Sequence, residues 1–406
     1  MTASFDLDQP LRLHPLTFLD EGDEVTVGRA DINSYGMFPA DGAALIRQLV
    51  AGSSPNDAAR WYTEQFGEQV DMAEFVELLA EFDLLVADGE EVAVLGAVRW
   101  QRLGRALFSP VAWCCYAILV GAAVVAMIRQ PALVPNYRYL FFTNSLVVLT
   151  VVLFLGQMPW ILLHESFHAL AGRRLGLPST LSIGRRLHFV VFETSLDGLV
   201  SVPRRKRYLP MLAGMLMDLL VIAGLTLGAA ALLPAGGGAA LAGRIFLAMA
   251  FATVLRLSWQ FYFFLRTDLY YLATTVLGCV DLQTVAKQML RNRFNRLLGR
   301  HDRLVDEERW HPRDVQVGRW YSWLMLVGYV VMVVLVISQI VPALINIVRI
   351  IIVKISVTHS LLNLGDVTLF IILNFGELVI AGILALRGYR RRSRTSMALA
   401  DNGASQ

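Results

Sequence analysis

Charge is the first thing this sequence has little of. Aspartate, glutamate, lysine and arginine supply 17% of its 406 residues, where soluble domains carry about 25%. Hydrophobic residues reach 56% and the mean hydropathy is +0.53, which excludes an ordinary soluble globular chain. Cysteine is nearly missing too. Cys114 and Cys115 stand side by side in an apolar run and Cys279 lies far from both, so neither a disulfide framework nor a CxxC metal site can be assembled. Packing as small apolar side chains is the expectation left for them. Residues 1 to about 95 lack any apolar run long enough to span a bilayer, and Met1 leads into "TASFDLDQP" without a basic n-region or an apolar h-region. The expectation is a head that stays in the cytoplasm. That head is acidic and has no basic stripe, which removes the phosphate contacts that nucleic-acid binding needs.

Apolar runs are what the rest of the chain has. A span needs about 20 apolar residues, and six stretches qualify: 107–128, 139–163, 208–233, 240–265, 319–347 and 361–386. The fifth is long enough to tilt or to break at Pro342. Lys and Arg collect on cytoplasmic flanks. Arg99, Arg102 and Arg105, then Arg173, Arg174, Arg185, Arg186 and "RRKR" (204–207), then "RNRFNRLLGRHDR", then "RGYRRRSR" fall on one side if both termini are inside. The expected fold is a multi-pass α-helical membrane protein of about six transmembrane helices. It divides into a head (1–95), a four-span core (96–280), a basic cytoplasmic linker (281–318), two C-terminal spans (319–390) and a disordered tail (391–406).

In the head, "LRLHPLTFLD" and "EVTVGR" read as extended, followed by three helices. The second is "SPNDAARWYTEQFG", with Ser54 or Ser53 as N-cap and Pro55 in the first turn; the third is "DMAEFVELLAEFDLL", apolar at helical spacing. "VADGEEVAVLG" reads as a hairpin around Asp88-Gly89. The sum is a small α+β winged-helix-like module. Through "VTVGR", "FPADGAALIRQLVAGSS" and "FVELLAEFDLL" it resembles the PqqD-like domains, which implies binding of the leader of a ribosomally made peptide; a generic winged-helix scaffold is the alternative.

The chemistry concentrates in "ILLHESFHALAGRRLG". On a helix, positions i and i+4 share a face, so His164 and His168 can aim two imidazoles at one ion while Glu165 stands beside that ion's water. Histidine is scarce, 7 in 406, and chance should give an HExxH in well under about one such chain in a hundred. Zinc chemistry wants a third protein ligand. No histidine follows until His188, in a basic and then strand-like segment where a surface or interfacial role fits. Asp268, in "FLRTDLYYL", lies at the cytoplasmic end of the fourth span as the histidines lie at that of the second, which makes it the candidate ligand; an interfacial acid paired with Arg266 is the alternative.

With HExxH ending one span, an aspartate about a hundred residues later ending another, and "AGMLMDLLV" between them, the chain resembles the site-2-protease family of intramembrane zinc metalloproteases. Within it, the bacterial peptide zinc metalloprotease branch is the most similar. The resemblance covers about residues 1–95 and 150–285. It implies zinc held by His164, His168 and Asp268, Glu165 as catalytic base, and a multi-pass protein of the bacterial cytoplasmic membrane with cytoplasmic termini. The family's motif carries asparagine and proline before the aspartate and glycine after it, whereas here "RLSWQFYFFLRT" precedes Asp268 and Leu269 follows.

Three further charges fall near mid-membrane: Asp218, Arg256 and Glu377. Asp218 or Glu377 with Arg256 reads as a structural or gating pair ahead of a direct catalytic role. "LPSTLSIGRRLHFVVFETSLDGLVSVP" has strand character, so a hairpin could take up an extended substrate by strand addition; a loop packed on the head is the alternative. The functional expectation is a zinc endopeptidase maturing a ribosomally synthesised peptide whose leader the head holds. Regulated intramembrane proteolysis of a signalling protein and a noncatalytic peptide-export or immunity subunit stay open beside it.

Overall fold

The computed structural model describes residues 6–20, 24–29, 31–32, 34–86, 90–92, 98–186, 189–195, 198–279, 281–305, 310, 312–356 and 360–374. The turn expected at Asp88-Gly89, His188, Glu377, the second half of the sixth apolar stretch and the tail lie outside the described residues.

The head opens with β1 (Thr17–Asp20), β2 (Glu24–Arg29) and β3 (Ser34–Pro39), antiparallel in the order β1-β2-β3. Thr17 faces Gly28, and Val27 faces Gly36. β3 is a strand that "SYGMFP" did not announce, because glycine and proline are poor strand formers. Phe38 recruits it: its buried ring meets Phe75 and Phe82 edge-on. Then come α1 (Ala40–Val50), α2 (Pro55–Phe66) and α3 (Met72–Glu81). Ser54, not Ser53, caps α2 by accepting from the Asp57 amide, and Gly67 ends it at φ 74°. Asp71 caps α3 through the Ala73 and Glu74 amides. Val25, Val27, Leu45, Ile46, Leu49, Val76 and Leu79 form the core between sheet and helices.

A single polar contact ties α1 to α2, where the Tyr62 hydroxyl donates to Asp41 Oδ2 at 2.5 Å. That bond holds the Asp41 carboxyl below its ordinary value and pushes the Tyr62 phenol up to about 12. The lowered acid stabilises above the unfolded carboxyl's pKa and loses its effect as pH falls through its folded value. The raised phenol stabilises below about 10, the unfolded value, and loses its effect as pH climbs through about 12. Tyr62→Phe should therefore cost about 1 kcal/mol at neutral pH, read as faster amide exchange in α1 and α2. The difference from wild type should shrink in strong acid and in strong base.

The body begins with α4 (Gln101–Leu107) and α5 (Pro110–Arg129). Cys114 and Cys115 are exposed on α5, whereas half-buried Cys279 packs against the cluster of Tyr270, Leu282 and Tyr321, so of the three Cys279 alone packs as expected. α6 (Leu146–Arg174) starts later than expected because Ser145 caps it through the Val148 amide, and it runs past residue 163 to the arginines. A hairpin follows, β4 (Thr180–Arg186) with β5 (Phe189–Ser195), Thr180 opposite Ser195. The turn Leu199–Ser201 lies against β1 and β2 of the head. α7 (Arg204–Leu232) and α8 (Gly237–Trp259) pack together and against α6. α8 ends well before residue 265, and the aromatic stretch 260–267 leads irregularly into α9 (Asp268–Leu277). Within it the Tyr262 and Phe264 rings stack at 5.6 Å, and Tyr321 donates to the Phe263 carbonyl.

The basic segment read as a linker holds α10 (Leu282–Leu297), which buries Leu282 and Ala286 against Tyr321 and Met325 of α11 (Pro312–Leu335). Next comes a π-helical turn, Val336–Ile340, before α12 (Val341–Ser356). Pro342 has no N–H for the carbonyl four residues back, and the wider turn absorbs that loss without breaking the helix. Among the described residues, five helical stretches are long and apolar enough to cross a membrane: α5, α6, Arg204–Ala235, α8 and Pro312–Ser356. The chain is a multi-pass helical membrane protein by this measure. The sixth expected span is described only over α13 (Leu361–Asn374).

Candidate metal centre

α6 carries His164 and His168 on one face, and both rings are buried. α7 runs beside that face with Pro210, Gly214 and Asp218, each four residues from the next and so on one stripe. The two stripes meet in antiparallel register. The Pro210 carbonyl lies 2.7 Å from His168 Nδ1, and Asp218 Oδ2 lies 3.1 Å from His164 Nδ1. A carbonyl only accepts, so His168 Nδ1 keeps the proton and its Nε2 presents a lone pair; His164 Nδ1 makes no aligned hydrogen bond, and the adjacent Asp218 carboxylate favours the same tautomer there. Gly214 sits between: a Cβ there would come within 2.3 Å of His168 Nε2 and 2.4 Å of His164 Nε2. Any side chain at this position takes the space between the two lone pairs.

Asp268 completes the cluster as the first residue of α9. Its Oδ2 is 3.4 Å from His164 Nε2 and 3.3 Å from His168 Nε2, and the two Nε2 atoms are 3.2 Å apart. Gln260 holds the aspartate from both ends, donating Nε2 to Oδ2 at 2.9 Å and accepting the Asp268 amide on Oε1 at 3.0 Å. Arg266 turns away to Asp281 at 3.1 Å and to Gln283, which overturns the alternative of an Arg266–Asp268 pair.

Two imidazole lone pairs and a carboxylate oxygen thus converge, a set of acceptors that repel one another unless a cation or proton lies between them. A tetrahedral zinc with bonds of about 2.0–2.1 Å puts its ligand atoms about 3.3–3.4 Å apart. The three separations of 3.2 to 3.4 Å match that edge, so the residues fit such an ion. Among the described residues this is the one group of histidine, cysteine and acidic side chains that could hold a metal.

Glu165 is half-buried. The Thr194 hydroxyl of β5 lies 2.8 Å from its Oε2 and 3.0 Å from its backbone carbonyl. The hairpin is therefore docked on the carboxylate that follows the first histidine, and Oε1 has no hydrogen-bond partner among the described residues.

Sequence reading missed Gly214, Gln260 and Thr194, and it placed Asp218 too far from the histidines. The basic end of α6 is ten residues beyond His164, about 15 Å of helical rise, and His164 stands level with Asp218, 3.1 Å from it. The stripe Pro210-Gly214-Asp218 was the available signal. Gly214→Ala should abolish metal binding, whereas Gly224→Ala in the same helix, where a Cβ meets nothing within 4 Å, should leave it intact; metal analysis of the two purified proteins checks this. Comparison with models of known protein families, with curated proteins and with solved structures finds no match for this chain.

Proposed function

We propose that this membrane protein is a zinc-dependent endopeptidase of the site-2-protease kind. One observation carries the reading: three acceptor atoms stand at tetrahedral-edge spacing with the carboxylate of Glu165 next to the first of them in the chain. His164, His168 and Asp268 would hold the ion. Bound there, zinc supplies a Lewis acid for the scissile carbonyl and lowers the pKa of a water to about 7.

The chain's own residues do the rest. Glu165 takes a proton as the water oxygen bonds to the peptide carbon, and returns it to the leaving nitrogen as the carbon–nitrogen bond breaks. Thr194 steers that carboxylate by occupying one of its oxygens. Gln260 fixes Asp268 so that its free lone pair faces the histidines. The β4–β5 hairpin can accept an extended substrate by strand addition beside Glu165. β3 pairs with β2 alone among the described residues, which leaves an edge of the head sheet for a leader peptide in the same mode. The favoured substrate is a ribosomally synthesised peptide precursor, cut in the bacterial cytoplasmic membrane with both termini of the enzyme inside.

The test uses full-length protein in lipid vesicles, given peptide precursors encoded by genes flanking its own, with products read by mass spectrometry. Cleavage that stops on adding 1,10-phenanthroline supports the proposal. One tightly bound zinc per chain with no cleavage of any precursor supports the noncatalytic peptide-export or immunity subunit instead, and cleavage confined to an anti-sigma-type membrane protein supports signalling proteolysis.

A further inference from the structure

A buried carboxylate stands behind His164. Asp218 is fully enclosed in α7, 0% exposed; both of its oxygens meet the Arg256 guanidinium, and one of them also faces His164. Oδ1 takes the Arg256 guanidinium of α8, with Nη2 at 2.5 Å and Nε at 3.2 Å. Oδ2 takes Nε as well, at 3.3 Å, and stands 3.1 Å from His164 Nδ1 as a charge contact, not an aligned hydrogen bond. Arg256 reaches on with Nη1 to Gln157 Oε1 at 3.3 Å, and Gln157 Nε2 donates to the Met249 carbonyl at 3.0 Å. Gln157 lies on α6, seven residues before His164 and hence on the same helical face. The contacts form a closed circuit that leaves α6 at Gln157, crosses α8 at Arg256 and α7 at Asp218, and returns to α6 at His164.

We infer that Asp218, braced by Arg256 and Gln157, is a positioning residue that holds the His164 ring with Nδ1 protonated and Nε2 turned toward the metal position. This rests on the metal-centre reading above. An ion pair that merely stapled α7 to α8 would have no need of a third group, the imidazole whose Nδ1 stands 3.1 Å from Oδ2. A buried charge at this depth is costly unless its partners use both of its oxygens. The two histidines are also treated unequally, since His168 leans on the neutral Pro210 carbonyl whereas His164 faces a carboxylate. Charge agrees: the carboxylates of Asp218, Asp268 and Glu165 are balanced by Arg256 together with one dication, so the enclosed site is neutral when a divalent ion is bound.

The experiment measures zinc affinity of the full-length protein by competition with a chromophoric chelator, together with the visible absorption of the cobalt-substituted form and the thermal unfolding of the metal-free form. Asp218→Asn keeps the shape and removes the charge; it should weaken zinc by about 10- to 100-fold and shift the cobalt bands. Arg256→Lys keeps the buried cation while giving up the fork that orients Asp218, and should weaken zinc several-fold, which keeps the test open where the first variant does not fold. Wild-type zinc affinity and unchanged cobalt bands in folded Asp218→Asn or Arg256→Lys, with only the metal-free unfolding temperature lowered, reduce the circuit to a structural staple and overturn the inference alone. Absence of tight zinc binding by wild type, or equal binding by His164→Ala, overturns the metal centre and the inference with it.

Discussion

Asp268→Ala should lose nearly all of the bound zinc, from about one ion per chain to almost none after dialysis against a mild chelator, and all cleavage with it. Two imidazoles from adjacent turns of α6 make a weak site by themselves, because a catalytic zinc rests on three protein ligands. The side chain can be removed without threatening the fold. Its described partners are Gln260 and the two histidines, and α9 keeps the Thr267 hydroxyl bonded to the Gln260 carbonyl at 3.0 Å. Arg266→Ala is the matched control, since Arg266 is committed to Asp281 and Gln283 and its loss should leave zinc unchanged. Zinc retained at wild-type level in Asp268→Ala would remove the third ligand and leave the acceptor cluster without its proposed purpose.

That Asp268 was legible at all came from arithmetic on arginines. Basic residues after the second and fourth apolar stretches put both ends on one side, and a ligand at one end then called for a partner at the other. The histidine pair was more direct, because an i, i+4 spacing fixes a shared helical face wherever the helix lies. What failed was level along the helices. Ending the second span at residue 163 and counting Asp218 ten residues into the third set the two apart, whereas α6 runs on to Arg174 and Asp218 lies 3.1 Å from the His164 ring. Gln260 was hidden for a different reason: it sits in an irregular aromatic stretch whose path no periodicity encodes. Gly214 has no side chain to announce a role, and only its place four residues from Pro210 and from Asp218 marks it. β3 was missed because its strand character comes from where Phe38 packs and not from local propensity.

Glu165→Gln should keep zinc at the wild-type level and reduce cleavage by at least about 10²–10⁴-fold, the usual share of a general acid–base group. The amide has nearly the size of the carboxylate and can still accept from Thr194 on its carbonyl oxygen, so the hairpin stays docked and the ligand geometry on α6 is untouched. What the amide cannot do is take a proton from water and return it to nitrogen, and both transfers are needed for one turnover. Thr194→Val separates orientation from chemistry. It leaves the base ionised but frees the oxygen that Thr194 now holds at 2.8 Å, so its loss should be smaller and should fall on kcat with little change in metal content. Mass-spectrometric time courses on the two variants, at matched zinc loading, give both numbers. Cleavage by Glu165→Gln at the wild-type rate would take the base away from this residue; the other carboxylates at the HExxH turn among the described residues are already engaged, Asp218 with Arg256 and His164, and Asp268 with Gln260 and both histidines.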